Sequence, residues 1–134
     1  MFRKIIGLFL LSTAPLFLQA QSIAEIQGTG DASPYVNQEV TTTGIVYAVV
    51  SNSYFIQDGT DLRSGIYVYD QTQSPNVGDE IRLTASVAEF FDLTELVDVT
   101  AFEVLSTDNP LPTPIELKTG EINNEDYELS LIHI

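Results

Sequence analysis

Within Glu80 to Phe90 the chain alternates polar and apolar residues from Glu80 through Val87. Ile81, Leu83, Ala85 and Val87 fall on one face, and Arg82, Thr84 and Ser86 on the other. A period of two turns one side of a β-strand toward a core and the other toward water; a helix cannot satisfy it. Whatever this chain folds into must therefore contain a long half-buried strand. The neighbouring sequence agrees. Glu39 to Ser51 is rich in Val, Thr and Ile, and Ser53–Asp58, Gly65–Asp70, Leu93–Val97 and Thr100–Leu105 read as shorter strands. Gly59-Thr60-Asp61 and Pro75–Asp79 supply turns. Ile23 and Ile26 are spaced for one helical turn in a lead-in from Ser22 to Gly30, which Gly28, Gly30 and Pro34 interrupt. No longer stretch carries helical periodicity.

Five or six short strands predict an all-β fold. Gly44, in the middle of the first strand, fits a bend where one strand serves two parts of a sheet. A long bent strand, a hairpin and a returning pair suit a small five-stranded Greek-key barrel, the OB-fold. An SH3-like barrel or a truncated sandwich are the alternatives. The domain is expected over residues 21–108. Asn109 to Pro114 is an extended Pro-rich linker, so residues 109–128 read as linker and entry to a further region.

Both ends fall outside this domain. Arg3 and Lys4 precede an apolar run from Ile5 to Leu18, and small Ala20 stands before Gln21. That is the pattern of a signal peptide over residues 1–20, too short for a membrane anchor. The mature protein is then expected to be secreted, extracellular or periplasmic, and free of the membrane. At the other end, Leu129 to Ile134 matches the translation of a sequencing adapter and is read as an artefact, with the natural chain expected to continue past Glu128.

Charge and composition narrow the chemistry. The chain of 134 residues has no Cys, a formal net charge of −14 and a single His. Disulfide frameworks and thiolate zinc sites are excluded. The one His, His133, lies in the suspected artefact. Without residues 1–20, the remaining Lys and Arg are Arg63, Arg82 and Lys118, against 19 acidic residues. A surface this acidic repels a polyanion and gains nothing from counterion release. Catalysis by Ser has no His base to rely on. The carboxylate pairs Asp58/Asp61 and Glu89/Asp92 are read as solvated surface groups, common by chance in so acidic a chain. Asp58 and Asp61 form a calcium candidate of low specificity, since a β-turn explains the same residues.

The ordered series Ile23–Gly30, Ser33-Pro34, Val40–Val46, Phe55–Asp58, Gly65–Tyr69, Val77-Gly78-Asp79 and Glu89–Leu96 resembles the OB-fold domain found N-terminal to secreted bacterial nucleases of the endonuclease/exonuclease/phosphatase superfamily. The similarity runs from Ser22 to Leu117. It departs at Asn37, where the family usually has Gly, a turn position that Asn tolerates. The resemblance implies a noncatalytic accessory module without a cofactor. Its partners would be a downstream catalytic domain of the same chain and, weakly, single-stranded nucleic acid. No catalytic residue of the family has a counterpart here.

Strand parity supplies the candidate site. If Ile66 and Val68 face the core, Tyr67 and Tyr69 face outward. The same parity buries Tyr54 and Ile56 and exposes Phe55 and Gln57. These two strands form the usual OB-fold binding face. Phe55, Gln57, Tyr67 and Tyr69, with Arg63 in the intervening loop and Arg82 on the outward face of the fourth strand, are the candidate nucleic-acid-binding set, the rings acting as a stacking platform. Two other readings stay open. The rings pack beneath a loop, the lead-in or the next domain, making this a structural or interaction module; or they stack on sugars, as in a carbohydrate-binding module.

Overall fold

The computed structural model describes residues 19–121, 125–127, 129 and 132–133; of the expected signal peptide over residues 1–20, residues 1–18 lie outside that range. Five strands, β1 (Glu39–Val50), β2 (Ser53–Gln57), β3 (Gly65–Tyr69), β4 (Glu80–Phe90) and β5 (Leu93–Ser106), close into a barrel in the order β1-β2-β3-β5-β4. All neighbours are antiparallel except β3 and β5, which run parallel through Tyr67↔Glu95 and Val68↔Leu96. A closed five-stranded sheet in this order is the OB-fold.

The alternation on β4 has the expected result: Ile81, Leu83, Ala85 and Val87 are buried in the core beside Val40, Val46, Tyr54, Ile56, Ile66, Val68 and Leu96. β1 pairs with β4 through residues Glu39–Ile45 and with β2 from Ile45 onward. Gly44 sits where it changes partner. A Cβ there would come within 3.2 Å of the Gln57 carbonyl oxygen and of Ile56 Cβ, so any larger residue would have to push β2 aside by a few tenths of an ångström. Asn37 holds φ at 63°, the left-handed conformation that Asn accepts, and its N–H bonds the Val87 carbonyl at 2.9 Å.

Leu93–Val97 and Thr100–Leu105 are not two strands but parts of one. Asp98, with φ at 51°, marks a bulge: the β4 partners shift from Ser86↔Val97 to Thr84↔Ala101. The left-handed residue absorbs the kink and pairing resumes beyond it.

The lead-in forms a short helix, α1 (Ile23–Gln27), with Ser22 and Glu25 in a reciprocal capping box. Ile23 and Ile26 are fully buried and join the barrel core. Ser33 Oγ donates to the Ile26 carbonyl, tying the following loop to the helix. Among the described residues no helix is long and apolar enough to cross a membrane. Beyond the Pro-rich segment, β6 (Ile115–Glu116) pairs in parallel with β7 (Ile132–His133), two residues of the suspected artefact. Asp126 and Leu129 reach back to the barrel.

Candidate functional site

β1, β2 and β3 lie side by side, and their outward residues bring three rings together. The register places Phe55 opposite Tyr67 and, on the other side, opposite Ala48. The β1–β2 register jumps from Val46↔Ile56 to Ala48↔Phe55, so Tyr47 is the extra residue of a bulge. Tyr47 and Phe55 have ring centroids 5.9 Å apart, and Phe55 and Tyr67 5.0 Å, at tilts of 43° and 51°. The three rings pack against one another at angles and are half-buried. They do not present one flat stacking plane. Parity on β2 and β3 located Phe55 and Tyr67 but missed Tyr47, whose position depends on a bulge that no local residue pattern marks.

The chain that follows the barrel touches this face. Tyr47 Oη donates to the Leu129 carbonyl at 2.6 Å, and burial pushes its phenol up to about 12. Arg63, held at φ 58° in the β2–β3 loop, donates from its backbone N–H to the Asp126 carbonyl at 2.8 Å. Its Nε donates to Asp126 Oδ1 at 3.0 Å, and its side chain is only 16% exposed.

Other members of the expected set depart from their reading. Gln57 is buried, not outward: at the end of β2 it stands opposite Gly65, and its Nε2 donates to the Gly59 carbonyl at 2.6 Å. The neighbouring glycine leaves room, and the β2–β3 loop folds over that end of the strand. Arg82 does lie exposed on β4, but it pairs with Glu103 of β5 at 3.8 Å. Arg63 and Arg82 thus each answer a carboxylate, on different elements. Tyr69 stands apart from the three rings, 47% exposed, and accepts from Gln71 Nε2. It borders a shallow groove with Tyr67, Phe90, Leu93 and Glu95. Burial raises the Glu95 carboxyl above the usual range.

Asp58 and Glu89 each have a structural partner, although Glu89 Oε2 is buried with no hydrogen bond among the described residues. Asp58 Oδ2 accepts the Ile23 N–H at 2.7 Å and so fastens the start of α1 to the end of β2. Burial raises the Asp58 carboxyl; the Ile23 hydrogen bond opposes this, and the charges of Asp61 and Glu25 add to it. Glu89 Oε1 accepts from Ser33 N–H at 2.8 Å and Thr94 Oγ1 at 2.7 Å, while Asp92 lies in the β4–β5 turn with φ at 64°. Among the described residues no group of three or more His, Asp or Glu side chains comes together as a metal-binding cluster. A cleft of about 480 Å³ beside Asp58 is bordered by Gln21, Gly44, Glu80 and Pro112. The Asp58 and Glu80 carboxylates and the hydroxyls of Ser22, Thr43 and Thr60 also line it.

No family model matches the chain, and no curated protein matches it in sequence. Among solved structures it is similar to the hypothetical protein ygiW from E. coli, at 16% identity and a TM-score of 0.47, over 65% of this chain and 90% of that one.

Proposed function

We propose that this chain is an exported, noncatalytic accessory module whose β1–β2–β3 face grips the polypeptide that follows the barrel. The observation that carries the reading is the double hold of Arg63 on Asp126, through its backbone N–H and its Nε. The face that an OB-fold commonly offers to a ligand is here engaged by its own chain. The tilted rings and the acidic surface support the same reading, since neither favours a stacked polyanion. The resemblance to nuclease-associated OB-folds makes a phosphodiesterase domain the natural neighbour in the parent protein. The module's role is to position that neighbour.

The test measures two properties of the full chain. Arg63→Ala is expected to speed amide exchange and proteolysis in residues 115–129 while leaving barrel amides protected. Titration with single-stranded DNA at low salt is expected to give no saturable shift at high micromolar protein. Saturable binding that disappears in a Tyr67→Ala/Tyr69→Ala variant would replace this reading with nucleic-acid presentation.

A further inference from the structure

β2 does not begin to pair with β1 until Ile45, so the first half of β1 has an outer edge beyond the sheet. Gln21 occupies part of it. Its backbone N–H donates to the Thr41 carbonyl at 2.8 Å, and its side-chain Oε1 accepts from the Thr41 N–H at 3.2 Å. Its own carbonyl accepts from Thr42 Oγ1 at 2.8 Å. One strand residue presents its N–H and C=O to the same side. Gln21 answers that edge with a donor from its main chain and an acceptor from its side chain, which must fold back over its own nitrogen to do so. A cis amide offers the same donor and acceptor side by side. The five-membered lactam of pyroglutamate is such an amide.

We propose that the exported chain begins at Gln21 and that Gln21 cyclises to pyroglutamate, the ring docking on Thr41 through the same two hydrogen bonds. This rests on the export part of the proposed function. Ala20 is exposed, so the bond that would be cut is accessible in the folded chain. Once freed, the α-amine attacks Cδ of its own carboxamide. The N–Cδ bond forms, the Cδ–Nε2 bond breaks, and a proton from the amine passes to the departing nitrogen, which leaves as ammonia. No oxidant or reductant is involved. One N–H remains for the Thr41 carbonyl and one carbonyl oxygen for the Thr41 N–H. The fold accelerates the closure because Thr41 holds both reacting ends on one side.

The experiment expresses the full-length chain in a secreting host and measures intact mass and the N-terminal peptide. The expected product begins at residue 21, is lighter than the unmodified chain by one ammonia, and resists aminopeptidase. A product that begins at Gln21 with a stable free amine overturns the cyclisation and leaves export standing. A product that keeps residues 1–20, or begins elsewhere, overturns both. Freshly secreted protein is also followed with and without urea. Ammonia loss is expected to slow about tenfold on unfolding; equal rates would overturn the templating by Thr41.

Discussion

Asp58 shows how one side chain is pulled in two directions. Its carboxylate satisfies the first N–H of α1, yet the surrounding protein and the charges of Asp61 and Glu25 disfavour its ionised form, although the residue as a whole is exposed. A carboxyl whose pKa is raised on folding favours the native state when protonated. Its contribution is full below the ordinary value near 3.8 and is lost as pH rises through the folded value. Asp58→Asn keeps an acceptor for Ile23 and drops the charge. It is expected to be more stable than the wild type at neutral pH, with the difference closing as the pH falls toward 3.8. Asp58→Ala leaves the Ile23 N–H without its acceptor and is expected to cost about 1–3 kcal/mol. Urea melts across pH decide between them; an Asn variant as unstable as the Ala variant would refute the charge argument. Tyr47 runs the other end of the scale. Its stabilising effect is full below pH 10 and is lost as the pH rises through about 12, which phenolate absorbance of the wild type against Tyr47→Phe would follow.

At the level of elements, the β4–β5 hairpin turns on Phe91 and Asp92, with φ at 50° and 64°. Two consecutive left-handed residues suit Asn-Gly, and a bulky Phe adopts that conformation at a cost. Phe91 is also 89% exposed and meets Phe90 edge-on at 4.6 Å. Replacing Phe91-Asp92 by Asn-Gly is expected to stabilise the protein by roughly 1–2 kcal/mol. Thermal denaturation checks it, and an unchanged or lower Tm would show that the aromatic pair stabilises the turn. The same hairpin separates what the sequence makes legible from what it hides. β4 can be read directly because its polar and apolar faces meet different surroundings along its length. β5 reads as two strands because the bulge at Asp98 interrupts the pattern, although pairing with β4 resumes beyond it. On β2, parity identifies the inward Tyr54 and Ile56. It fails for Gln57, because alternation tells which way a residue points and not whether a loop closes over it. The Asp126 partner of Arg63 lies far along the chain, with no local pattern to announce it.

For the molecule as a whole, the sheet closes fully but unevenly. β4 and β5 are paired along most of their length, whereas β3 and β5 meet through only Tyr67↔Glu95 and Val68↔Leu96. Native-state hydrogen exchange is expected to release the hydrogen-bonded amides of this parallel junction before those in the middle of β4, such as Leu83. Uniform protection around the barrel would contradict this. The consequence reaches past exchange rates. A closed barrel leaves little strand edge on which another chain can build, and here part of the free edge of β1 is taken by Gln21. A barrel that opens at one short parallel junction would expose β3 and β5 together, as two matched free edges. Two molecules caught in that state could complete each other's sheet by exchanging halves. The same short junction that lets a small chain finish its barrel also sets the route by which it would swap into a dimer.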